Sequence, residues 1–373
     1  MKDRKLFTTL AAGTAIAALG FLAADSPVIA NQSLDNQPPD PSKPLVTTPP
    51  TETPALTKTE TPPAPASPSE TALPTQTYTQ IEKTSTPTET LLPEKEIKVK
   101  GNLIFSRYVG GNWEVIRKDE SGKEQNLTDH PADDMNAIVS PEGENIIFAS
   151  NRDGNQVGNN FEIILQNLKT GKVENLTEDE ARDWDPYPLE NRKGYVFNST
   201  KADGYGDIFL VNYDPNETIN LTEDMSDTEE WRPVPGNGRI YFTSGVNEEA
   251  ELWVMDMDGT NKQKLTENDY PDWYPSINPA TGKLVFISKD PQNPYGPDKL
   301  FTMNPDGSGR MMLPGQPTEG DNDDPTWSPD GNLLAFINNA SGQYDIYTIN
   351  ADGTNLTRIT STPEDELSPV FAP

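Results

Sequence analysis

Glu366, Asp134, Asp183, Glu230, Asp272 and Asn322 each stand three residues before a proline, or at the equivalent place in a recurring segment. All but Asn322 are carboxylates. The next position holds Leu367, Met135, Trp184, Trp231, Trp273 and Asp323. Carboxylates gathered around one opening would focus a negative field there. They would hold a hard cation such as Ca²⁺ if several oxygens converged within ~2.5 Å of one point. The three indole rings suit stacking on a sugar face or gripping a peptide side chain. The candidate ligand-binding residues are therefore Trp184, Trp231, Trp273, Asp134, Asp183, Glu230, Asp272, Asp323 and Glu366. A structural reading stands beside each. A carboxylate at a strand entrance accepts backbone N–H groups of the adjoining turn, and a tryptophan fills the wedge between packed sheets.

Other chemistry has little support. The chain has no cysteine, which excludes disulfides, thiolate metal sites and Cys nucleophiles. Its single histidine, His130, lies in a Thr-Asp-His-Pro loop segment with no Gly-x-Ser-x-Gly elbow to serve. Met255-Asp256-Met257-Asp258-Gly259 has the look of a calcium loop, but the later ligands and the final bidentate Glu are missing. A hairpin turn is the better reading. We expect no enzyme and no required cofactor, with Ca²⁺ a candidate ion for the acids. A carboxylate-pair hydrolase or lyase acting on polysaccharide is the alternative.

These residues must be positioned by a repeated element. Phe105, Phe148, Phe197, Phe242, Phe286 and Phe336 recur at spacings of 43, 49, 45, 44 and 50. Each ends a short run that is apolar at consecutive positions, such as Ile146-Ile147-Phe148. Such a strand needs cover on both faces. A second strand follows each run, then a turn that is Asp-Gly at 258–259, 306–307 and 352–353, then a third strand ending in Leu-Thr or its equivalent. With the proline segment this makes four strands per unit, repeated radially: an all-β, six-bladed propeller. The first unit lacks its own proline segment, and the sequence ends on one, Ser368-Pro369-Val370-Phe371. That last strand is expected to complete the first blade and close the ring, which removes exposed sheet edges.

Residues 99–373 are the expected propeller. Residues 1–30 read as a signal peptide or signal anchor, with Lys2, Arg4 and Lys5 ahead of an apolar stretch from Leu6 to Ala24. Residues 31–98 hold 14 prolines, 15 threonines and no glycine, the composition of a disordered, extended stalk. The protein is then exported: secreted, periplasmic or held at the cell surface. A net charge of −30 argues against nucleic acid and against anionic membranes as partners. Any membrane contact would run through residues 1–30 alone.

Ser328-Pro329-Asp330-Gly331, the strand Asp345-Ile346-Tyr347, Asp352-Gly353-Thr354-Asn355 and Ile359-Thr360 resemble the WD-repeat-like propeller unit of the TolB family. The resemblance covers 101–373. A proline-rich segment stands where TolB carries an N-terminal α/β domain. The reading is a monomeric, non-enzymatic binding or scaffold module for an extracytoplasmic protein, peptide or glycan. A structural, cation-binding surface protein is the further alternative.

Overall fold

The computed structural model describes residues 101–152, 160–202, 204–214, 216–225, 228–245 and 249–372. The expected signal segment and stalk lie outside them. The described residues form 24 strands in six four-stranded antiparallel sheets. The innermost strands are β4 (Asp134–Val139), β8 (Asp183–Pro188), β12 (Glu230–Gly236), β16 (Trp273–Ile277), β20 (Asn322–Trp327) and β24 (Glu366–Ala372). Each touches the next, and β24 touches β4, so the ring is closed. This is the six-bladed propeller read from the sequence.

Closure follows the expected route. Blade 1 has the strand order β24, β1 (Asn102–Val109), β2 (Asn112–Lys118), β3 (Glu124–Asn126). The last strand pairs antiparallel with β1, from Asn102 opposite Ala372 to Arg107 opposite Glu366. Blades 2 to 6 follow in sequence order from Asp134 onward.

There is no single core. Six apolar clusters each join two adjacent blades. The recurring phenylalanines all face the preceding blade: Phe148 packs with Ile104 and Val115 of blade 1, and Phe105 packs with Ala335 and Ile346 of blade 6. The residue before each phenylalanine faces the following blade, as Ile147 does against Tyr195 and Phe197. Consecutive apolar residues are thus consumed by two different interfaces.

The Asp-Gly pairs form the tight turns expected of them. Gly259, Gly307 and Gly353 have φ of +82°, +84° and +83°, a region open to glycine at low cost. In each turn the aspartate accepts the backbone N–H two residues on, at 3.0 Å. A Cβ on Gly307 would also come within 2.6 Å of the Leu265 carbonyl oxygen in the preceding blade. The calcium-loop look of these segments is therefore a turn pressed against a neighbouring sheet.

Candidate functional site

Each innermost strand shifts register near its start, the mark of a β-bulge. In each, the residue two after the recurring acid or Asn322 has positive φ: Asn136 53°, Asp185 49°, Arg232 51°, Tyr274 53°, Asp324 49° and Ser368 51°. None is glycine, so each position stores roughly 1 kcal/mol or more of backbone strain. A bulge re-aims a side chain, and here it turns six residues, one per blade, toward the axis.

There they meet across large gaps in sequence. Asn136 Nδ2 donates to Asp185 Oδ1 at 2.6 Å. Arg232 Nη1 pairs with Asp324 Oδ1, and its guanidinium lies 4.6 Å from the Tyr274 ring centroid. The Ser368 N–H donates to Asp324 Oδ2 at 3.1 Å, and the Ser368 hydroxyl sits 2.9 Å from Asn136 Oδ1. Burial acts to lower the Arg232 pKa, but Asp324 and Asp185 outweigh it and hold the group firmly cationic. Burial pushes the Asp185 carboxyl up, Asp324 adds to this, and Arg232 opposes both. Asp323 is driven well above the carboxylate range by burial and then by the adjacent Asp324 charge.

This belt borders a cavity of 40 Å³ lined by residues of all six innermost strands, which places it on the axis. A second axial chamber of 200 Å³ lies next to it, walled by Tyr187, Pro188, Ile277, Trp327 and Phe371 among others. Asn136, Asp185, Arg232 and Ser368 of the belt line the smaller cavity, giving the axis a polar section there.

The carboxylates singled out in the sequence sit elsewhere. Asp134, Asp183, Glu230, Asp272 and Glu366 are 0 % exposed and line neither chamber. Their partners belong to their own blades. Asp134 binds Arg152 at 2.8 Å, Glu366 binds Arg107 at 2.9 Å and Asp272 binds Arg310 at 2.8 Å. Glu230 accepts from the Thr228 and Ser244 hydroxyls at 2.6 and 2.9 Å. Asp323 is buried beside the belt and accepts the Asp324 N–H at 2.7 Å. Asp183 stands apart, with neither carboxylate oxygen met by a donor in hydrogen-bonding geometry.

The three tryptophans separate in the same way. Trp184 and Trp231 are half-buried, with ring centroids 6.3 Å apart across the gap between blades 3 and 4. Trp273 packs against the cluster of Val285, Trp327 and Phe336 that joins blades 5 and 6.

Reading the sequence for recurring residue types passed over the belt, because its six members share no chemistry. One signal was available. Five of the six precede a proline, Pro186, Pro233, Pro275, Pro325 or Pro369, and a residue before proline is held out of the right-handed helical region.

Glu230 gives a measurable consequence. Burial pushes its carboxyl up from 4.5 to about 7, against the pull of Thr228 and Ser244. A carboxyl raised on folding is protonated more readily in the folded chain. Its contribution is full below 4.5 and is lost as pH rises through 7. Between about pH 4.5 and pH 8 the wild type should lose about 3 kcal/mol relative to Glu230→Gln. Urea melts of both proteins across that range check this, and a pH-independent difference would contradict it.

Comparison with known proteins agrees with the fold. Residues 248–373 match the TolB beta propeller domain family. An uncharacterized protein of Agrobacterium fabrum is 31% identical over 142 residues, covering 35% of this chain and 46% of that protein. The Tol-Pal system protein TolB of Desulfosudis oleivorans is 28% identical over 134 residues, 35% of this chain and 29% of that one. The matched stretch thus spans less than half the length of either relative. The crystal structure of TolB from Acinetobacter baumannii superposes with a TM-score of 0.61 at 16% identity, covering 75% of this chain and 68% of that one. At that identity the likeness is one of fold. Closed ring, blade order and family match converge on one statement: the chain carries a six-bladed TolB-like β-propeller.

Proposed function

We propose that the protein is an exported, non-enzymatic binding module that grips a partner protein or peptide at the rim bearing Trp184 and Trp231. The observation that carries this is the indole pair itself. Two large apolar rings, one from blade 3 and one from blade 4, remain half-buried instead of joining an interblade cluster. Buried-on-binding tryptophans are the residues that most often dominate interface energies. In the same two innermost strands Asp185 and Arg232 follow the indoles directly and are engaged by Asn136 and Asp324 in the belt. Fixed, saturated groups suit recognition better than proton transfer. The relative named as a Tol-Pal system protein belongs to a protein assembly by its name, which favours a protein partner over a glycan. Export rests on the cationic and apolar pattern of residues 1–30.

The test is capture from a cell-envelope extract by wild type and by Trp184→Ala/Trp231→Ala. The double variant should retain roughly a tenth or less of the bound protein. Trp273→Ala, whose ring packs between blades, should melt earlier yet capture normally. Equal capture by a folded double variant would overturn the assignment of this rim.

A further inference from the structure

In five blades the residue that opens the innermost strand is either neutral or met by donors. Arg107, Arg152 and Arg310 serve Glu366, Asp134 and Asp272. Thr228 and Ser244 serve Glu230, and Asn322 is an amide bonded to Gln316 at 3.0 Å. Blade 3 breaks the pattern. Asp183 is fully buried, and no donor meets either carboxylate oxygen in hydrogen-bonding geometry, although the Ser199 and Thr177 hydroxyls stand beside it. Among the described residues no arginine pairs with Asp183.

Two more carboxylates face the same spot. Glu162 opens β6 (Glu162–Asn167) of blade 2 and is buried; Asp179 lies in the connection from blade 2 to blade 3. One oxygen of each of the three acids lies within 4.8 Å of the others. The nearest cation, Lys201, binds the outer face of the cluster through Asp179 at 2.8 Å and is itself half exposed. At the junction of blades 3 and 4 two acids stand near each other, Asp207 and Glu230; at three others an arginine joins the acid, and at the junction of blades 5 and 6 the equivalent positions are Lys299 and Asn322. Among the described residues, only here does the connecting loop bring in a third acid close enough to share an ion.

Glu162 accepts from the Thr177 hydroxyl at 2.6 Å and Asp179 from Lys201 and the Ala181 N–H, but both buried oxygens of Asp183 are met by no N–H or O–H; an all-oxygen, anionic set converging on such a carboxylate is the donor set of a hard divalent cation. Carboxylates on two strands and a loop impose no fixed octahedron, which favours Ca²⁺ over Mg²⁺. We propose that Glu162, Asp179 and Asp183 form a Ca²⁺ site that ties blade 2 to blade 3, separate from the axial belt and from the indole rim.

The experiment is calorimetric titration of Ca²⁺ into the EDTA-stripped full-length protein, paired with melting curves in EDTA and in millimolar Ca²⁺. One equivalent should bind and raise the melting temperature. Asp179→Asn, a loop position that folding tolerates more readily than the buried pair, should weaken binding by roughly tenfold or more. Asp183→Asn should do the same and, by removing the unmet charge, should raise the melting temperature in EDTA. Asp324→Asn in the belt should leave the affinity unchanged. Absence of binding at millimolar Ca²⁺, binding unaltered by Asp179→Asn, or binding lost through Asp324→Asn would each overturn the site.

Discussion

Removing Glu366–Pro373 should abolish cooperative unfolding of the propeller. The deleted strand is the innermost strand of blade 1, and it belongs to two interblade interfaces at once. Leu367 and Phe371 pack into the cluster shared with blade 6, and Val370 into the cluster shared with blade 2. Burying these three side chains contributes about 5–8 kcal/mol at the usual yield per apolar residue. The backbone of β1 would lose its ladder from Asn102 to Arg107 and become an open edge. Arg107 would keep Glu124 but lose Glu366, and Asp324 would lose the Ser368 N–H. Set against a typical total stability of about 5–15 kcal/mol, these losses leave little to hold the ring shut. Urea unfolding followed by tryptophan emission should change from one steep transition to a broad one with a reduced slope. A truncated protein that keeps the parent's midpoint and slope would refute closure by this strand. Phe371→Ala gives the graded version, with a loss of about 3–5 kcal/mol and cooperativity retained.

What was legible in the sequence follows from what a repeat encodes. The phenylalanine column, the run of apolar residues on both sides of it and the Asp-Gly turns are demands made identically in every blade, so they recur as residue types. The half-blades at the two ends of residues 101–372 gave the closure for the same reason: a missing strand at one end and a surplus strand at the other are visible by alignment alone. The site obeys another logic. Its position is shared by all blades, through the bulge and the left-handed φ, while its chemistry differs in each. Asn136, Asp185, Arg232, Tyr274, Asp324 and Ser368 look unrelated in sequence and meet only when the ring is built. The acid column misdirects attention because it recurs strongly, and it recurs because each acid closes off its own blade. Asp183 differs from its equivalents only in lacking a partner, and a missing contact leaves no residue to read.

The belt itself predicts the second large effect. Arg232→Met should destabilise the protein by about 3–5 kcal/mol. The guanidinium is the one cation among the six belt residues, and it answers both Asp324, by direct pairing, and Asp185, by proximity. Methionine fills comparable volume but leaves the carboxylates of Asp185 and Asp324 with their Asn136 and Ser368 hydrogen bonds and no cation between them. Removing one member of a buried ion pair costs more than removing all of it. Arg232→Met/Asp185→Asn/Asp324→Asn should therefore recover most of the loss, although it lacks every charge of the belt. The single variant should also regain stability on acidification. Burial already raises the Asp185 carboxyl with Arg232 present, and without the guanidinium charge chiefly the Asn136 hydrogen bond is left to oppose that rise, so the folded form takes up a proton first and is favoured as pH falls. Chemical melts at neutral and mildly acidic pH distinguish this account from a simple packing defect. A packing defect would be insensitive to pH, and neutralising the two aspartates would deepen it. If the triple variant is as weak as the single one, the belt is held by shape and not by charge, and the electrostatic description of the axis fails.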